Sequence, residues 1–182
     1  MNSQMTATRK IAITALFVAM AAVVKLVSSQ TLDIVGAPIL RIGFPSGFTR
    51  FTAILLGPLY GGIAGGLEDV VGYLLKPTGA YLLPLTIVEV VKNALVGFSW
   101  FRLRDKLPFG RFVRILIVSA PVCLFFTTVN TFLFRYVFGF THKAFLVYLM
   151  PRLGEEIVSV IVSSYLISLY LMVYEKHIQR GL

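Results

Sequence analysis

Charged side chains recur inside stretches that are otherwise apolar enough to cross a bilayer, and few folds tolerate that. Lys25, Arg50, Glu68, Asp69, Glu89, Lys92, Glu155 and Glu156 all lie within such stretches. A charge at the centre of a membrane segment costs about 2.5–3.5 kcal/mol on insertion scales, so it persists where a partner or a function holds it. Composition points to the bilayer independently. Of 182 residues, 57% are hydrophobic and only 14% charged, whereas a soluble domain carries about 25% charged residues. One span needs roughly 20 mostly apolar residues, so about five to seven helices fit. Residues 1–182 then form one membrane domain, with no room for a nucleotide-binding lobe. The single cysteine, Cys123, sits mid-run among apolar neighbours, which leaves no disulfide framework and no CxxC metal site. No metal or cofactor is expected.

Six spans are predicted: about Ile11 to Ser28, Gly47 to Leu56, Tyr60 to Leu75, Leu85 to Arg102, Ile115 to Phe134 and Arg152 to Tyr174. Arg9-Lys10 before the first run imitates a signal peptide, but further spans follow, so the run reads as a retained helix. Gly57-Pro58 and Lys76-Pro77-Thr78-Gly79 act as breakers. Arg9, Lys10, Arg102, Arg104, Lys106, Arg111, Arg114, Lys176 and Arg180 fall on one side once the spans alternate. By the positive-inside rule that side is cytoplasmic. The expected fold is an all-α integral membrane protein, a six-transmembrane-helix bundle with both termini cytoplasmic. The net charge of +9 then serves topology and anionic headgroups rather than nucleic acid.

Threaded this way, the embedded polar groups converge on the outer half. Glu68 and Asp69 lie near mid-depth on the third span, with Tyr73 one turn further out. Glu89, Lys92 and Asn93 share one face of the fourth at i, i+3 and i+4. Arg152, Glu155 and Glu156 repeat the pattern on the sixth, the fifth adds Thr127, Thr128 and Asn130, and the second adds Arg50. Two readings remain open for the pairs Glu89/Lys92 and Arg152/Glu155: they pin the bundle, or they line a pocket for a polar solute. Asp69 has no cation within four residues on its own span, so it needs a partner from another helix or a ligand. Gly61/Gly65 and Gly62/Gly66 are spaced for close helix packing. Lys76 to Tyr81 offers a cation, a hydroxyl and an aromatic ring at the outer mouth. Ala12, Ala15, Ala19 and Ala22 form a small-residue stripe on the first span, suited to packing within the chain or to docking on another subunit.

An intramembrane enzyme is disfavoured. His142 and His177 lie in or near loops, and no HExxH or comparable catalytic set occurs. A self-contained channel or secondary transporter is the alternative, although no internal repeat is evident.

Length, helix count, termini and alanine stripe together resemble the substrate-binding S-component of an energy-coupling factor vitamin transporter. Within that family, Arg41-Ile42-Gly43-Phe44, Leu56-Gly57-Pro58, Asp69-Val70-Val71-Gly72-Tyr73 and Pro77-Thr78-Gly79-Ala80-Tyr81 are similar, in order, to a run found in the folate-binding members. The resemblance implies a bacterial plasma-membrane subunit that binds a vitamin without catalysing a reaction. It implies import with a transmembrane scaffold and two ATPase subunits, docked through Ala15 and Ala19 and their stripe. Asp69 would take the pterin edge in paired hydrogen bonds. Tyr73, Tyr81 and Phe44 would stack on the ring, and Arg41, Lys76 or Lys25 would meet the glutamate carboxylates. Thr78, Glu89 and Lys92 complete the expected site, with the loops 29–46 and 76–84 as its gate. Another vitamin (pantothenate, nicotinate or a pyrimidine precursor) would satisfy much of the same chemistry.

Overall fold

The computed structural model describes residues 6–32, 45–75, 77, 81–138 and 142–178; within these, the side chains of 27–32, 134, 137–138, 142–145, 147–148 and 174–178 are left aside. The described residues form helices α1 (Ala7–Leu32), α2 (Pro45–Leu56), α3 (Pro58–Leu75), α4 (Leu83–Leu103), α5 (Arg111–Phe138) and α6 (His142–Ile178). Windows within α1, α4, α5 and α6 are long and apolar enough to cross a membrane: Ala7–Leu26, Leu83–Leu103, Arg111–Leu133 and Leu149–Val173. Helix α2 has 12 residues, about 18 Å at 1.5 Å per residue, well short of a ~30 Å hydrocarbon core. Helix α3, with 18 residues, carries five glycines and two carboxylates.

The predicted spans appear as these six helices with longer ends. The largest extension is in α6, which begins at His142 rather than near Arg152 and runs through Pro151. Proline in a membrane helix is tolerated where neighbouring groups re-satisfy the freed backbone. His142 and His177 are therefore helical residues near the two ends of α6.

One residue joins α2 to α3. Gly57 takes φ 101°, and its N–H donates to the Ala53 carbonyl at 3.0 Å. This is the αL helix stop that favours glycine, and Pro58 then starts α3 with its missing N–H at no cost. The α4–α5 turn is held by Arg114, whose guanidinium donates to the Phe109 carbonyl at 2.5 Å and the Arg104 carbonyl at 3.1 Å.

Helix α2 lies against α1, α3, α4 and α6, and α5 bridges α4 to α6. The α2–α3 and α3–α4 contacts are close because α3 presents glycine. A Cβ on Gly61 would collide with Ala53, and one on Gly65 would fall 2.8 Å from the Glu89 carbonyl oxygen. Gly97 of α4 likewise lets that helix ride on the α2–α3 junction, where a Cβ would meet Pro58 at 2.9 Å. The close-packing reading of Gly61 and Gly65 is thus realised.

The bundle has two chemically different halves. Ile54, Leu55 and Leu56 of α2, Val96 and Trp100 of α4, Ile115 and Val118 of α5, and Ile167 and Leu171 of α6 form a buried apolar core. These residues lie toward the end that carries Arg9, Lys10 and the basic α4–α5 turn. The embedded charges lie toward the opposite end.

Gly61→Ala should destabilise the purified protein by about 1–3 kcal/mol through overpacking, read as a lowered thermal midpoint in detergent. Gly154, where an added Cβ meets nothing within 4 Å, is the control. Its alanine variant should be unchanged or gain about 0.5–1 kcal/mol from helix entropy.

Candidate binding site

Consecutive residues on a helix point about 100° apart, so Glu68 and Asp69 serve different neighbours. Glu68 turns toward α1 and accepts from Lys25 Nζ at 2.9 Å. The lysine chain reaches it by lying across Gly72, where a Cβ would sit 2.6–2.7 Å from Lys25 Cε and Cδ. Asp69 turns toward α4. Its Oδ2 accepts from the Thr86 hydroxyl at 2.6 Å, and the Tyr81 and Thr86 hydroxyl oxygens lie 2.5 Å apart. The single Thr86 proton is committed to the carboxylate, so Tyr81 donates to Thr86. The result is a relay of hydroxyls ending on Asp69. The Tyr73 and Tyr81 rings stand 5.0 Å apart, tilted by 53°, and form an aromatic wall beside it.

Asp69 forms no ion pair among the described residues, and its Oδ1 receives no described hydrogen bond. A carboxylate oxygen beside two tyrosine rings is suited to accept N–H groups from a flat heterocycle. The site is half-buried at Asp69 and open at Tyr81, at the end of the bundle away from the basic turn.

Deeper in, two further pairs of opposite charge are matched to each other. Lys92 Nζ lies 2.6 and 2.8 Å from the two carboxylate oxygens of Glu89, one turn away on α4. Asn93, fully buried, donates to the Glu89 carbonyl at 3.0 Å. Arg50 of α2 is 1% exposed and meets Glu156 of α6 at 3.0 Å. It also donates to Ser46 and Ser163 at 2.7 Å and to Ser159 at 3.0 Å. Arg152 donates to Thr131 of α5 at 3.3 Å.

Of the expected site residues, the structure brings together Asp69, Tyr73 and Tyr81. Lys25, expected as a mouth cation, is instead the partner of Glu68, because α1 packs on the glycine-lined side of α3. Glu89 and Lys92 take the intrahelical pairing that the sequence left open. Arg41, Phe44, Lys76 and Thr78 lie outside the described residues, as do residues 33–44 and 78–80 of the expected gate. On α1, Ala12, Ala15 and Ala19 are exposed, whereas Ala22 is buried inside the bundle, so the open stripe is shorter than expected. Sequence reasoning missed Thr86 as the Asp69 partner and Arg50–Glu156 as a clamp. A signal for the clamp was present: Ser46 and Arg50 are spaced i, i+4, and Glu156, Ser159 and Ser163 share one α6 stripe.

The model of the family "ECF transporter, substrate-specific component" matches residues 9–171, and the chain belongs to that family, whose members reside in the bacterial plasma membrane as multi-pass proteins. It is 30% identical over 120 residues to a protein named Folate transporter FolT from Clostridium novyi (strain NT). The aligned stretch covers 65% of this chain and 65% of that relative. No solved structure matches the chain. The family is one of transporter components rather than enzymes.

Glu156→Leu should lower stability by about 3–5 kcal/mol, because it strands the buried Arg50 cation. The Arg50→Met/Glu156→Leu double variant should recover most of that loss. Thermal unfolding in one detergent compares the three proteins.

Proposed function

We propose that this chain is the folate-capturing subunit of an energy-coupling factor importer, open to the outside at the Asp69 end. The observation that carries the reading is the half-exposed Asp69 carboxylate. It is presented by Thr86 beside the Tyr73–Tyr81 ring pair, above a bundle half closed by apolar packing. A pterin edge supplies the paired donors that such a carboxylate accepts, and its flat ring suits the aromatic wall. The name of the Clostridium novyi relative supports the same substrate.

The basic end, with Arg9, Lys10 and the α4–α5 turn, faces the cytoplasm on this reading, and both termini lie there. The buried apolar core beneath Glu89–Lys92 and Arg50–Glu156 supports a receptor rather than a self-contained pore. Capture is therefore one task and translocation another, performed with a transmembrane scaffold and two ATPase subunits. Ala12, Ala15 and Ala19 offer the scaffold a flat apolar face. Arg41 and Lys76 would meet the glutamate tail, Phe44 and Thr78 would complete the mouth, and residues 29–46 and 76–84 would close over it.

Native mass spectrometry of the purified chain tests the substrate. A co-purified mass equal to folate or a reduced folate is expected, and another vitamin's mass would replace the assignment. By calorimetry, Asp69→Ala should weaken folate binding about 10–100-fold, the loss of hydrogen bonds to a charged group. Lys25→Met should leave affinity near wild type. Ala15→Leu should keep binding and abolish uptake in cells containing the partner subunits. Loss of binding in Ala15→Leu would show that the assigned docking face is wrong, and robust uptake by this chain alone would sink the importer reading.

A further inference from the structure

The hydrogen bonds at Thr86 have a direction, and that direction decides what the site offers a guest. An ionised carboxylate accepts only, and a threonine hydroxyl carries one proton. Asp69 Oδ2 takes that proton at 2.6 Å. The Tyr81 hydroxyl, 2.5 Å from the same threonine oxygen, therefore commits its own proton to Thr86. Thr86 is only 7% exposed, so its hydroxyl serves two protein partners and stands largely out of contact with solvent.

Both outer groups of this relay are left with lone pairs. Asp69 keeps Oδ1 and the second acceptor position of Oδ2, while Tyr81 keeps an acceptor position on a phenol whose proton is already engaged. Tyr81 is 38% exposed and Asp69 half-buried, so both can be met from the open end of the bundle. The Tyr73 ring, 5.0 Å from that of Tyr81, adds an apolar face beside them. Asp69 and Tyr81 thus present acceptors to whatever ring lies along that face.

We propose that Thr86 is a specificity-determining positioning residue. By taking the Tyr81 proton and giving its own to Asp69, it makes this edge of the site accept hydrogen bonds and not donate them. Such an edge selects a flat ring with adjacent N–H donors and rejects the same ring carrying an oxo group in place of its amine. The inference rests on the pterin reading of the site and says how an aminated ring is told from a deaminated one. An oxo group would set lone pairs against lone pairs, and a site built to hydrogen-bond one group discriminates strongly against its absence. Thr86 acts through Asp69 and Tyr81 rather than on the ligand. Without its hydroxyl, Asp69 loses the bond that orients it, and Tyr81 regains a proton to offer an oxo group.

Calorimetry on the full chain in detergent, with folate and its deaminated analogue, reads the preference directly. Wild type should favour folate by about 10–100-fold, the effect of a hydrogen bond to a charged group. Thr86→Val, nearly the same in volume, should cut that preference about three- to tenfold, the effect of one neutral hydrogen bond. Thr86→Ser should restore it. A valine variant that weakens both ligands equally and keeps the full preference would overturn the proposal, since Thr86 would then only pack. A serine variant that behaves like valine would do the same. Raman spectra of the ligand-free proteins test the relay itself, because the tyrosine doublet reports whether a phenol donates or accepts. The difference between wild type and Tyr81→Phe should carry the signature of a strongly donating phenol, and it should weaken on a Thr86→Val background. If wild type binds neither ring, the folate reading falls and the Raman difference decides the relay: a donating Tyr81 sustains it, and an accepting one overturns it.

Discussion

Charge neutralisation across helix boundaries governs how this bundle is put together. In hydrocarbon a lone lysine or carboxylate cannot be hydrated, so each must find a counter-charge or a dense set of dipoles nearby. Lys25 reaches from α1 to α3, and Arg50 from α2 to α6. Lys92 and Glu89 solve the problem within α4. The first two contacts fix which helices can be neighbours and at what depth. One glycine of α3 follows from the same constraint, since the Lys25–Glu68 pair forms only where α1 and α3 approach closely enough. That glycine is Gly72, because the Lys25 chain occupies the space that a side chain there would take.

Asp69 is held differently from these pairs. Among the described residues Asp69 has a hydroxyl for a partner rather than a cation, and the hydroxyl is itself supported by Tyr81. Such an arrangement orients the carboxylate without neutralising it. The apolar core toward the other end resists hydration, which fits the proposed role of Asp69 as the place where a solute is received. A receptor and a channel built on the same helices would differ chiefly in that core.

The helices were legible because their signals are local: apolar runs of the right length, with Gly-Pro and Pro-Thr-Gly as punctuation. Asp69 was legible as the carboxylate without a local cation, and Tyr73 and Tyr81 stood near it in order. The fates of Lys25 and Arg50 were less accessible, since each depends on a helix far away in sequence. Lys25 pairs across 43 residues and Arg50 across 106. Thr86 was passed over because a threonine near the start of an apolar helix carries no distinctive pattern until α3 is packed against it. Ala22 illustrates the limit of a stripe: four alanines share a face by spacing, yet the packing of α1 on α2 and α3 buries the last one.

Glu68 and Asp69 being adjacent has a mechanical consequence. They ride on the same turn of α3, one fastened to α1 and the other presented to the open end of the bundle. Any rotation of α3 would carry both backbones together and shift Glu68 against Lys25 as it shifts Asp69. The 2.9 Å pair with Lys25, buried on the Glu68 side, ties that turn to α1. The helix bearing the exposed alanines and the helix bearing Asp69 are thus joined through two neighbouring residues.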